Sequence, residues 1–176
     1  MSDMAPEFAP PEFSRIVPLT RLGAGPLRQK IVATAGERAA LARRFNLVAL
    51  DSLRAQIGLE RQRGGIILMH GVIEAEFAQT CVVTLDPVAG AVSESFVLRY
   101  GPPEAEPEDP GLEDEPAFEP LDRDVIDIGE AVAQEFALVL PPFPRAPEMS
   151  VETEAEGLLD RGPFAELGRL FPSGTG

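Results

Sequence analysis

The sequence predicts an α+β fold: an antiparallel β-sheet of about four to six strands, with two main helices and disordered acidic loop and tails. Three observations carry this. The stretch Ile66 to Tyr100 is rich in β-branched side chains, and Val72, Glu74 and Glu76 interleave in it with Ile73, Ala75 and Phe77, the period of two of a half-buried strand. Two segments, after Thr34 and after Asp127, open with helix-capping spacings. Between and after these lie proline- and acid-rich stretches with few core-forming side chains, which cannot offset the entropy of ordering.

With 176 residues the chain has room for one ordinary domain with tails. The expected layout is a flexible N-terminus over 1–12, a single domain over 13–147 containing a disordered acidic loop at 101–122, and an acidic tail over 148–176 that ends in a short docking helix. Phe13 to Leu19 and Leu27 to Ala33 read as short strands. Thr34 with Glu37 has the capping-box spacing, and the helix runs to Asn46, a residue that tolerates the left-handed cap. Leu41 and Phe45, four apart, face the core. Arg38, Arg43 and Arg44 project in three directions and make no single basic stripe.

Leu53, Ala55, Ile57 and Leu59 alternate with polar neighbours, so this strand turns at Arg61 to Gly65 into the central stretch. A hairpin of that kind gathers Arg54, Arg61 and Arg63 near one end of the sheet as the best basic cluster, with edge protection as its plain structural reading. The central stretch folds once, at a proline and glycine turn. The second helix opens at Asp127 and Ile128 and stops at Leu140-Pro141-Pro142, because proline removes a backbone donor and disfavours helical geometry before it. Glu135 falls on the same face as Ile128, Val132 and Val139. A carboxylate there needs a partner, so it is expected to pair with an arginine or to belong to a binding site. Phe164, Leu167 and Leu170 have helical spacing in the tail.

Charge separates the chain. Fifteen Lys and Arg oppose 29 Asp and Glu, for a net −14. Residues 1–63 hold ten basic and six acidic side chains, and 64–176 hold five and 23, so a half of +4 is joined to one of −18. Such acidity argues against simple non-specific nucleic-acid binding, which is driven by phosphate neutralisation, and favours a basic partner or a tail that mimics polyanion. One cysteine excludes an internal disulfide and fits a reducing compartment. The N-terminal stretch lacks the basic start and apolar core of a signal peptide, and no apolar run approaches the ~18 residues of a membrane span. The expectation is a cytoplasmic protein with no membrane role.

Catalytic motifs are wanting. His70, the one histidine, sits in a strand pattern without a neighbouring nucleophile and reads as a satisfied structural residue. Cys81 and His70 are too few for a metal site. There is no phosphate loop, dinucleotide fingerprint or nucleophile elbow. No catalytic, cofactor-binding or metal residue is assigned, no cofactor is expected, and no small-molecule substrate is evident.

Three pieces of the sequence resemble one known family. Gly71-Val72-Ile73-Glu74-Ala75-Glu76-Phe77-Ala78-Gln79-Thr80-Cys81-Val82-Val83-Thr84-Leu85 is similar to a strand ending in a Cys-x-Arg-Cys-Leu element. Ile126 through Pro141, with Pro144 after it, is the second piece, and Gly162-Pro163-Phe164-Ala165-Glu166-Leu167, similar to Asn-Pro-Phe-Ala-x-Leu, is the third. The chain thus resembles the YceD family, the large ribosomal RNA subunit accumulation proteins. It departs from that pattern at Val83 and Thr84, where relatives carry arginine and a second cysteine. Any paired-cysteine role is therefore not transferable, and Val83 with Cys81 favours a packing role for the segment.

The resemblance implies a non-enzymatic factor in ribosome biogenesis that supports accumulation of large-subunit ribosomal RNA, by binding that RNA or a basic ribosomal protein. The candidate partner-binding residues are Arg54, Arg61, Arg63, Glu135 and Phe164. An acidic, chaperone-like protein for a basic partner unrelated to RNA is the alternative, and a metal-dependent or hydrolytic enzyme is the least favoured reading.

Overall fold

The computed structural model describes residues 11–23, 25–105, 116–121 and 123–146. The chain divides after Pro144, and the architecture below is that of the part up to Pro144. Its elements are β1 (Ile16–Pro18), β2 (Leu27–Val32), α1 (Ala35–Arg44), β3 (Ala49–Arg61), β4 (Ile67–Thr80), β5 (Pro87–Gly101), β6 (Ala117–Pro120), β7 (Val125–Asp127) and α2 (Ile128–Val139). The architecture is α+β, as the sequence predicts.

Five strands form the main sheet in the order β2-β3-β4-β5-β6. The pairs from β2 to β5 are antiparallel, while β6 runs parallel to β5, placing Leu98 opposite Ala117 and Gly101 opposite Pro120. β1 and β7 form a separate antiparallel pair, with Val17 opposite Ile126. The parallel β6 corrects the expectation of one uninterrupted acidic loop over 101–122: residues 117–120 are strand. Residues 106–115 lie outside the described residues, as do 1–10 and the whole of 148–176, including Phe164.

Alternation decides which face of the sheet is covered. On β3, Leu53, Ala55, Ile57 and Leu59 are buried while Arg54, Gln56 and Glu60 are exposed; on β4, Ile67, Met69, Ile73, Ala75 and Phe77 are buried while His70, Val72 and Glu76 are exposed. Because side chains repeat every second residue, one register sets the whole inner face. α2 packs on that face through Phe136, whose ring meets Phe77 at 5.7 Å and Phe45 at 5.9 Å, both edge to face. Leu41 of α1 is fully buried in the same core.

Local signals fix the element ends. Thr34 and Glu37 form the expected reciprocal capping box on α1. Asn46 follows with φ of 53°, a left-handed conformation that asparagine accepts. Gly64 and Gly65, at φ of 75° and 79°, make the β3–β4 turn that a β-carbon would strain. The β4–β5 turn differs from expectation. It spans 81–86 with Thr80 opposite Pro87, so Pro87 and Gly90 lie within β5 and not in the turn. The turn closes without them because Cys81 N–H donates to the Asp86 carbonyl (2.8 Å) and Leu85 N–H to the Cys81 carbonyl (3.1 Å).

Asp127 ties the two ends of this part together. Its carboxylate caps α2 by accepting from Gly129 and Glu130 N–H, and it also accepts from the Ser14 hydroxyl and, at 2.7 Å, from Arg15 N–H. Glu130 does not reach back as a capping box would; its carboxylate is held by Arg44, at 2.8 and 2.9 Å.

Candidate functional site

The outer face of the main sheet is left uncovered by the helices, and the pairing register lays its side chains in cross-strand rows. One row runs Arg28, Gly58, His70, Val97; the next runs Lys30, Gln56, Val72, Ser95. These two rows line a trough of about 740 Å³ across β2 to β5. Arg28 and Lys30 stand exposed on the edge strand β2, and among the described residues no carboxylate pairs with either. His70 is exposed and faces outward in this trough, while Met69 and Gly71 take the inward positions beside it.

The three arginines singled out in the sequence do not make one cluster. Arg54 lies in the middle of β3, seven residues and so ~23 Å from Arg61 along the strand. Its guanidinium donates to Glu74 on β4 at 2.9 and 3.3 Å. That contact raises the arginine's pKa and lowers the carboxyl's. Arg61 closes β3 and donates to the Leu19 carbonyl at 3.1 Å, and Arg63 stands exposed in the turn that follows. Only Arg61 and Arg63 share an end of the sheet.

Glu135 is half-buried on α2, and among the described residues no arginine pairs with it. In place of the expected arginine, the charge that acts on it is the Glu119 carboxylate of β6. Burial first, and then the Glu119 carboxylate on β6, push the Glu135 carboxyl above its ordinary value. The same groups act on Tyr100, whose phenol is raised by burial and then by Glu119, Glu135 and Asp127.

Cys81 is fully buried at the start of the β4–β5 turn, and its Sγ accepts from Val83 N–H at 3.5 Å and Thr84 N–H at 3.4 Å. The thiol thus packs as expected and also orders the turn. Val83 does not share the packing role expected of it, being 52% exposed. His70 and Cys81 sit eleven residues apart, one facing outward on β4 and one buried just beyond its end, so they form no joint site. Among the described residues no three His, Cys, Asp or Glu side chains come together as a metal site, and none of the helices is long and apolar enough to cross a membrane.

The residues that sequence reasoning missed are Arg28, Lys30, Gln56 and Gly58. A signal existed in Leu27–Val32, where Arg28 and Lys30 alternate with Leu27, Gln29 and Ile31 and so share a face. What they face, however, is set by residues about thirty positions away.

Comparison with known families decides the assignment. The model of the family described as large ribosomal RNA subunit accumulation protein YceD matches residues 69–163, more than half of the chain. The chain belongs to the YceD family. The match begins inside β4 and takes in β5, β6, β7 and α2, so it bears out the resemblance of Gly71–Leu85 and Ile126–Pro141 to that family. No curated protein and no solved structure matches the chain. Of the trough, His70, Val72, Ser95 and Val97 fall within the YceD segment, whereas Arg28, Lys30, Gln56 and Gly58 precede it.

Proposed function

We propose that this YceD protein is a non-enzymatic, cytoplasmic factor in large ribosomal subunit biogenesis, and that it supports accumulation of large-subunit ribosomal RNA by binding a component of that subunit. The family match over 69–163 carries this reading. The uncovered sheet face supports a binding role, since it offers exposed cations, amide and hydroxyl groups on a rigid framework. A second reading is favoured by the −18 carried by residues 64–176: a basic ribosomal protein is held by the acidic half before delivery.

Affinity capture of the tagged protein from lysate, with and without nuclease, tests both. Recovery of large-subunit ribosomal RNA that nuclease abolishes supports direct RNA contact. Recovery of one basic ribosomal protein that survives nuclease supports the second reading. If neither is enriched over an untagged control, both are wrong.

A further inference from the structure

Four glycines lie within the strands of the main sheet, and three are required by packing. A β-carbon on Gly71 would meet the Phe96 ring at 2.1 Å, one on Gly90 the Phe77 ring at 2.8 Å, and one on Gly101 the Ile66 side chain at 2.6 Å. Gly58 is different: a β-carbon there would meet nothing within 4 Å, and its φ is not in the left-handed range. Neither packing nor backbone conformation asks for glycine at this point. A glycine weakens a strand relative to alanine, and away from bulges and bends such positions mark close approach by a ligand or another backbone; the β3–β4 register is unbroken around Gly58.

Gly58 lies in the middle of the trough floor. Arg28 stands opposite it on β2 and His70 opposite it on β4, with Lys30 and Gln56 in the adjacent row. With strands ~4.8 Å apart, Arg28 and His70 are separated by ~10 Å of open backbone. Of the two flanking rows, one pairs Arg54 with Glu74 and the other holds Glu60 and Arg99 on either side of Leu68, so neither adds net charge. The trough is therefore a cationic strip within a chain of net −14, and at physiological ionic strength it is screened from acids more than ~8 Å away.

We propose that this trough binds the sugar-phosphate backbone of single-stranded RNA, with Arg28 and Lys30 meeting phosphates and Gly58 letting the strand descend onto the sheet. This deepens the reading above and rests on it. The occupant is polyanionic because Arg28 and Lys30, the exposed groups the edge strand presents here, are both cations with no carboxylate partner among the described residues. It is an extended single strand because the floor is only four strands wide, ~14 Å between the outer strands.

The test uses the full chain and fluorescein-labelled single-stranded fragments of purified large-subunit ribosomal RNA, with anisotropy read across a salt series. Arg28→Gln with Lys30→Gln is expected to weaken binding at least about tenfold and to lower the logarithmic salt slope by about 1.4, at about 0.7 for each phosphate no longer neutralised. Gly58→Glu, whose side chain enters open space, is expected to weaken binding similarly while leaving the urea midpoint near that of the parent. Arg21→Gln with Arg43→Gln removes the same charge elsewhere.

If RNA binds and the trough variants match that control, the trough is not the site, though the biogenesis role stands. Should the parent fail to bind these fragments while capturing a nuclease-resistant basic protein, the inference is overturned and the second reading takes over. Equal binding of polyglutamate and RNA at matched charge would also overturn it, since the trough would then take any polyanion.

Discussion

The Arg15 guanidinium grips both oxygens of Glu37, at 2.7 and 3.0 Å, while Glu37 also accepts from the Thr34 N–H that it caps. One carboxylate thus closes the first turn of α1 and holds the strand that leads into β1. Hydrogen bonding from Arg15, with further contributions from Thr34, brings its pKa from 4.5 to about 2. A carboxyl depressed in the folded state contributes stability that is complete above about pH 4.5 and lost as pH falls through about 2. Glu37→Gln is therefore expected to cost about 1–2 kcal/mol at pH 7, below the full linkage value because both partners are partly solvated. Urea unfolding at pH 7 and at pH 2 checks this: the difference between the proteins should shrink at the lower pH.

Gly129 sits in the first turn of α2, where the backbone of the N-terminal segment crosses it. A β-carbon there would meet the Phe13 carbonyl oxygen at 2.6 Å and the Arg15 nitrogen at 2.8 Å. Both are backbone atoms, fixed by the bonds of Arg15 N–H to Asp127 and of Ile128 N–H to the Arg15 carbonyl. Gly129→Ala gains about 1 kcal/mol in helix propensity. Displacing the crossing segment costs more, about 1–3 kcal/mol and rising if the Asp127 bonds break. A net loss of unfolding free energy is expected, and a stabilised protein would refute the close crossing.

What can be read from the sequence is local. The Thr34–Glu37 box, Leu41 on the core side, the Asp127 cap and the alternation along Leu53–Leu59 and Val72–Phe77 each follow from spacings of a few residues. The β4–β5 turn is hard to place because Asp86-Pro87 and Gly90 look like turn residues, whereas Gly90 is glycine to admit Phe77 across the sheet. β6 escapes detection since its four residues, Ala117-Phe118-Glu119-Pro120, are too few and too exposed to show an alternation. The trough needs three registers at once, as Arg28, Gly58, His70 and Val97 come together only when β2 to β5 are paired. The partner of Arg54 is hidden for the same reason, being twenty residues away on the next strand.

Glu135 shows how a carboxylate behaves when, among the described residues, its charged neighbour is another carboxylate and not a cation. Its folded pKa is raised, so folding is disfavoured more as the group ionises, and stability falls as pH climbs through the carboxyl range. Glu135→Gln removes that penalty while keeping the shape. The expected result is a higher urea midpoint than the parent at pH 7 and equal midpoints at about pH 3, below the ordinary carboxyl range. A lower midpoint for the glutamine variant at pH 7 would mean that the carboxylate has a favourable partner after all.

Phe136 is the point where both helical segments meet the sheet. Its fully buried ring lies edge to face with Phe45 beyond α1 and Phe77 on β4, so truncation removes two aromatic partners and opens a cavity. Phe136→Ala is expected to cost about 3–5 kcal/mol, a large share of the ~5–15 kcal/mol that stabilises a typical domain. Phe136→Leu keeps the apolar volume near that of the parent but loses the ring geometry, so about 1–2 kcal/mol should suffice. Urea titrations of the three proteins give the ordering. If alanine and leucine cost the same, the ring geometry dominates and the cavity contributes little. If leucine is neutral, burial alone holds α2 on the sheet.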